Sequence, residues 1–189
     1  MEHHVDNVSK KATKILGVVR RTLASCPREV KAQAYQALVR PGLEYASAAW
    51  NPYTKCNVKT LEQVQRRAAR VVCRDYSTYT SGSGLVQSLG WDTLETRRLL
   101  NQAVMFYKIH HALVMIPFPP CVQPLHSQTR ASHPYRYQHL QPRTDPRKFS
   151  FFVRMIPVWN LLPLAAVESP TVVSFRAAAV PQMRMACQV

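Results

Sequence analysis

The chain has 189 residues, 25 of them Lys or Arg against 10 Asp or Glu, for a formal net charge of +15 and a pI near 10.1. That length fits one domain with an appendage, and 47% apolar residues suffice for a packed core. The balance excludes an acidic disordered tail and points to a polyanionic partner, nucleic acid ahead of a membrane surface.

The charge is uneven. Residues 1–75 carry +8, residues 76–118 carry +1, and residues 119–189 carry +6. The start, MEHHVDNVSKK, has no apolar stretch and no cleavage pattern, so it is not read as a signal peptide. No run approaches the ~20 apolar residues of a membrane span, and the expected location is intracellular, cytoplasmic or nuclear. Five cysteines (Cys26, Cys56, Cys73, Cys121 and Cys187) are widely spaced with no C-x-x-C pair. Free thiols in a reducing compartment are the reading, not zinc or a disulfide framework.

Helical patterning dominates the first 115 residues. Val5, Val8, Ala12, Ile15, Val19 and Leu23 recur at helical spacing, with Lys10, Lys11, Lys14, Arg20 and Arg21 largely off that stripe. Cys26-Pro27 ends this segment, and Pro27 suits the first position of a second helix carrying Val30, Ala34, Tyr35 and Leu38. Pro41-Gly42 is expected to break or kink it. A short apolar stretch, LEYASAAW, then leads to an Asn51-Pro52 turn.

Residues 57–74, NVKTLEQVQRRAARVVCR, form the most pronounced amphipathic helix, with Asn57 as its candidate cap. Val58, Leu61, Val64, Ala68, Ala69, Val71 and Val72 fall on one arc. Lys59, Arg66, Arg67, Arg70 and Arg74 fall on a separate arc of about 100°, a cationic stripe about four turns long. YSTYTSGSG reads as a flexible loop. Asp92 and Glu95 form an expected capping box for a helix running to about Val114. Leu99, Ala103, Phe106, Tyr107, His110 and Val114 mark its buried side, opposite Arg97, Arg98, Asn101 and Lys108. Residues 117–147 are proline-rich and read as an irregular linker with a short strand near 135–140. Ser150 is placed to cap the segment FFVRMIPVWN, and Ser169-Pro170 to open a last helix through Ala179.

Catalytic chemistry is not visible. The aspartates Asp6, Asp75, Asp92 and Asp145 are scattered, whereas two-metal phosphoryl transfer needs clustered carboxylates. There is no G-x-x-x-x-G-K-S/T and no G-x-G-x-x-G, and no catalytic residue, metal ligand or cofactor is expected. His110 reads as a packed histidine, and His3-His4 lacks further nearby ligands. Trp50, Trp91 and Trp159 read as core anchors before stacking platforms. Tyr135 and Tyr137, interleaved with Arg130, Arg136 and Arg143, are better stacking candidates, although a mobile basic linker is the plainer reading.

Five phrases carry a resemblance through their order and spacing: HVDNVSKKATKILGVVRRTL, YQALVRPGLEYASAAWNPY, LEQVQRRAARVV, LGWDTLETRRLLNQAVMFYKIHHALV and FSFFVRMIPVWNLLP. Together they resemble the region downstream of the palm in reverse transcriptases of non-LTR retrotransposons, of the jockey/CR1-like kind. The resemblance runs from about His4 to Ala178. It implies a thumb and C-terminal extension of an RNA-directed DNA polymerase, with the palm motif F/Y-x-D-D missing and the reading frame truncated. The chain on its own would then not be an enzyme.

The expected fold is accordingly mainly α. It comprises a thumb-like helical bundle over 1–116, a proline-rich basic linker over 117–147 and a helical C-terminal extension over 148–189. The thumb of such enzymes grips a template–primer duplex, so the expected partner is an RNA–DNA or other duplex bound without sequence preference. Arg66, Arg67 and Arg70, with Lys59 and Arg74 on the same stripe, are the first candidates for phosphate contact. Arg20, Arg21, Arg97 and Arg98 are the second. The competing expectation is an inert or interaction-only product with an exposed apolar face, most simply the start over residues 5–19.

Overall fold

A computed structural model describes residues 2–125 and 133–187. The protein is mainly helical. Its helices are α1 (Glu2–Thr22), α2 (Arg28–Ala34), α3 (Arg40–Glu44), α4 (Ser47–Trp50), α5 (Lys55–Cys73), α6 (Gly82–Ser88), α7 (Leu94–His110), α8 (Asp145–Lys148), α9 (Phe151–Asn160), α10 (Leu164–Val167) and α11 (Val172–Ala186). The chain divides into two compact units, Met1–Arg97 and Arg98–Val189, with the division inside α7. It therefore does not fall at residue 116, where the onset of prolines suggested it.

In the first unit the apolar stripes of α1 and α5 face one another. Val5, Ala12, Leu16 and Val19 pack with Leu61, Val64, Ala68 and Val71, joined by Tyr35, Val39, Leu43 and Leu94. The apolar start over residues 5–19 is thus largely covered; Ile15 and Val18, at its margin, remain exposed. The buried arc of α5 is the expected one except that Val58 is only half-buried, and it is widened to include Asn57 and Gln65. Gln65 is admitted because both ends of its amide are used. Its Oε1 accepts from Tyr35 Oη at 3.2 Å, and its Nε2 donates to the Asp92 carbonyl at 2.9 Å.

Pro41 bends the chain less than expected. A π-helical turn, Tyr35–Val39, joins α2 to α3 without interruption. Pro41 lacks an N–H and its ring presses on the carbonyl four residues back; a widened turn just before it relieves both. Pro27 sits one residue earlier than expected, at the N-cap of α2. Asn57 does not cap α5, which starts two residues earlier after Thr54. At the other end of α5, Arg74 takes the left-handed conformation (φ 53°) that usually selects glycine, at a cost of about 1 kcal/mol. Its guanidinium offsets this by donating to the Ala24 carbonyl and, at 3.4 Å, to that of Cys26. Lys31, buried, donates to the same Ala24 oxygen at 3.1 Å.

The YSTYTSGSG segment is not a slack loop. Asp75 Oδ1 accepts the Ser77 N–H, Ser77 Oγ accepts the Tyr79 N–H, and Ser81 caps α6, a helix the sequence reading missed. The cap of α7 is Thr93, whose Oγ1 accepts the Thr96 N–H at 3.1 Å, in place of the Asp92–Glu95 box. Glu62 Oε1 accepts the Glu95 N–H at 2.9 Å, so α5 satisfies another donor of the first turn of α7.

The second unit has an aromatic core. Phe106 is surrounded by Phe118, Tyr137, Phe151, Phe152 and Trp159, and Tyr107 stacks on Phe175 with ring centroids 4.4 Å apart. Parts of the proline-rich stretch are anchored in this core, where Val122, His133 and Tyr137 are buried. Trp159 Nε1 donates to the Tyr135 carbonyl at 2.9 Å, and Asn160 brackets Tyr137 with bonds to its N–H and carbonyl. The strand anticipated near 135–140 is only an antiparallel bridge between Pro124 and Tyr137. Ser150 precedes α9 without capping it, and α11 is opened by a Thr171–Ser174 capping box and runs past Ala179 to Ala186.

Candidate nucleic-acid interface

The surface with the clearest chemistry lies on the first unit, where α1 and α5 pack along their length. Their cores are apolar, so the polar residues flanking each stripe line a groove above the contact. Along α1 these are Ser9, Lys10, Thr13 and Lys14; along α5 they are Thr60, Gln63 and Arg67, with Val64 at the floor. The groove encloses about 410 Å³. A second hollow of about 280 Å³ shares Thr13 and Arg67 with the first and extends it past Gly17 and Arg20 to Arg70 and Tyr76. No carboxylate lines either hollow among the described residues. Lys10, Lys14, Arg20 and Arg67 are exposed, so their charges stand in solvent and can meet an anion at little desolvation cost.

The expected stripe on α5 is divided by its neighbours. Arg67 enters the groove. Arg66, 100° further round the helix, is turned away to a separate 170 Å³ hollow. There it meets α6 and shares the lining with the carboxylates of Glu62 and Glu95. A Cβ on Gly82 would stand 3.2 Å from the Arg66 side chain, so these two surfaces already touch. Arg66 is therefore not part of the same face as Arg67. Arg70 borders the groove but is engaged, donating to the carbonyls of Ser77 and Thr80 at 2.8 Å each. Arg74 is taken up by the carbonyls before α2, and Lys59 is exposed on α5 without lining the groove.

The second group separates as well. Arg20 lines the groove, and Arg21 is exposed beside Gly17, its Nη1 3.6 Å from where a Cβ would project. Arg97 forms a bidentate ion pair with Glu44, with Nη2–Oε2 at 3.1 Å, and this hydrogen bond raises its already high pKa further. Arg98 is 0% exposed. Neither presents a cation to a ligand, which corrects the expectation for that pair. Lys10 and Lys14 are the contributors that the α5 stripe alone did not reveal. Their signal was the set of lysines displaced from the apolar stripe of α1.

Of the stacking candidates elsewhere, Tyr137 and the tryptophans are engaged in packing. Tyr137 is buried, and its hydroxyl hydrogen-bonds His110 Nδ1 at 2.7 Å. Tyr135 stays exposed, and Arg130 lies outside the described residues. Trp159 is 0% exposed, while Trp50 and Trp91 are half-buried, Trp91 stacked on Tyr35. His110 is a packed histidine whose pKa is pushed down to about 4 by burial first, then by His111 and His133. Among the described residues no group of three or more His, Cys, Asp or Glu is placed to hold a metal ion, and the five cysteines are free. No helix there is long and apolar enough to cross a membrane.

No family model, curated protein or solved structure matches this chain.

Proposed function

We propose that the first unit is a sequence-independent grip for a nucleic-acid duplex, the thumb-like part of a non-LTR retrotransposon reverse transcriptase. The observation that carries this reading is the carboxylate-free groove between α1 and α5, bordered by Lys10, Lys14, Arg20 and Arg67. Lys10 and Arg20 are ten residues apart on one helix, about 15 Å. That is the axial length of about four phosphates along one strand. Between the cations, the Thr13 hydroxyl and the Gln63 amide can donate to phosphate and sugar oxygens and read no base, while the Ser9 and Thr60 hydroxyls donate to the carbonyls of Asp6 and Cys56. The resemblance of the five sequence phrases supports the same assignment from an independent direction.

On this reading the residues given hold a template–primer and contribute no catalytic carboxylates, because they include no F/Y-x-D-D motif and their aspartates are dispersed. The test is a salt titration of binding to a labelled RNA–DNA duplex. The log–log slope should have a magnitude between about 3 and 6, with little dependence on sequence. Salt-independent binding, or none, overturns the proposal. Extension of a primed RNA template with magnesium would overturn the non-catalytic part of it.

A further inference from the structure

Gly17 stands inside α1, where glycine is the least favourable residue after proline, because it gives up the most backbone freedom on folding. A fold has use for such a glycine where φ is positive, or where another part of the chain presses on the backbone. Neither holds at this position. Gly90 is the glycine with positive φ among the described residues. A Cβ on Gly17 would meet nothing closer than Arg21 Nη1, at 3.6 Å, the far end of a flexible side chain at ordinary contact distance. Alanine would therefore fit with nothing displaced. The remaining use of a helical glycine is to let something outside the chain approach the main chain closely. Gly17 faces the groove, in the hollow it lines together with Arg20, Arg67 and Arg70. From the next turn of α1 the guanidinium of Arg21 reaches back toward the same spot. Arg20, Arg21 and Arg67 are exposed, and none of them is in an ion pair among the described residues. Three unpaired guanidiniums thus surround one patch of bare backbone.

We propose that Gly17 is the point of closest approach between the protein and its nucleic acid, where one phosphate seats against the α1 main chain between Arg20, Arg21 and Arg67. The inference rests on the grip proposed above and adds a fixed register to it. Charge alone lets a duplex slide along a cationic stripe, because each phosphate is equivalent to the next. A gap in the side-chain layer at one residue makes one place along α1 unlike the others. A Cβ at residue 17 would lift the phosphate off the helix and lengthen its contacts to all three guanidiniums together. The seat touches phosphate only, so it positions the ligand and adds no base preference.

The experiment pairs Gly17→Ala with Gly42→Ala, reading stability by denaturant melts and binding with a labelled RNA–DNA duplex. Gly42 is also helical, in α3; a Cβ there would meet nothing within 4 Å, and it lines no part of the groove. Both substitutions should move the unfolding midpoint upward, for Gly17→Ala by the equivalent of about fourfold in the folding equilibrium. Gly17→Ala should at the same time weaken duplex binding about tenfold, the low end for charge-assisted hydrogen bonds lost to one phosphate. The magnitude of its log–log salt slope should fall by about 1. Gly42→Ala should bind within about twofold of the parent, as a surface change away from the contact. A change that stabilises the protein and weakens its binding cannot be ascribed to damage to the fold. Gly17→Ala binding as tightly as the parent overturns the seat and leaves the grip standing. Loss of stability in Gly17→Ala also overturns it, because the fold itself would then need the glycine. An equal loss of binding in Gly42→Ala overturns it as well. Failure of the parent protein to bind the duplex overturns seat and grip together.

Discussion

The guanidinium of Arg70 donates one hydrogen bond to the carbonyl of Ser77 and another to that of Thr80, each at 2.8 Å. The side chain thus spans the neck of the loop between α5 and α6. A lysine keeps the charge but cannot fork to two oxygens. Arg70→Lys is therefore expected to lower stability by about 1 kcal/mol, the net worth of a typical hydrogen bond, and to speed amide exchange at residues 77–80. The salt slope of duplex binding should stay the same because the charge does. Arg70→Gln removes the charge, and a slope lowered by about 1 in that variant relative to Arg70→Lys would mean that Arg70 contacts phosphate directly.

Lys10, Lys14 and Arg67 are three of the four exposed cations that border the groove, and none lies in the core. Reversing all three to Glu should reduce the magnitude of the log–log salt slope by about 3, because three phosphates lose their partners. Each reversal should move the unfolding free energy by no more than about 0.5 kcal/mol, as for other surface substitutions. Salt-titrated binding with parallel denaturant melts separates the two quantities. A folded triple variant that binds with the parent slope would remove this face from consideration.

The helices of the first unit could be read from the sequence because long amphipathic stripes report their own burial: Val5, Ala12 and Val19 on α1, and Leu61 through Val72 on α5, lie where periodicity put them, while Leu16 takes the buried place expected for Ile15. What a single stripe does not report is its lateral neighbours. The α5 arginines share one arc in projection, yet α6 covers the Arg66 side and leaves the Arg67 side open. The helix α6 itself, GSGLVQS, has two glycines and one buried apolar residue, too little pattern to detect. The proline-rich stretch misled for another reason. Besides the isolated buried side chains of Val122, His133 and Tyr137, it is anchored by main-chain groups bonded to Trp159 and Asn160, and main-chain bonding leaves no residue pattern. Long-range pairs such as Arg97 with Glu44, 53 positions apart, are equally invisible before the fold is known.

His110 makes the second unit sensitive to acid. Its folded-state pKa is about 4, against about 6.5 for a free imidazole. Between those values the unfolded chain binds a proton that the folded one refuses, so stability rises with pH through this window. Above pH 6.5 the full contribution is present, and it is lost progressively as the pH falls toward 4. His110→Gln should flatten the dependence of the thermal midpoint between pH 7 and 4.5, at some constant cost from the altered bond to Tyr137. An unchanged pH profile in this variant would show that other groups set the acid limit.

Arg97 and Glu44 supply the test that separates fold from function most cleanly. The pair is bidentate, its side chains only 22% and 12% exposed, and Glu44 otherwise meets Arg40 at 3.8 Å. Arg97→Gln removes one positive charge from the protein, as a groove variant would. It should cost about 2 kcal/mol of stability, because Glu44 loses a charge-assisted partner while largely buried. Glu44→Gln should cost a similar amount, and the double variant less than the sum, with a coupling of at least about 1 kcal/mol in a double-mutant cycle. Duplex affinity at low salt should remain within twofold for Arg97→Gln, since its guanidinium faces a carboxylate and not the groove. An affinity loss matching that of Arg67→Glu would place Arg97 on the binding surface and count against the α1–α5 groove as the principal contact.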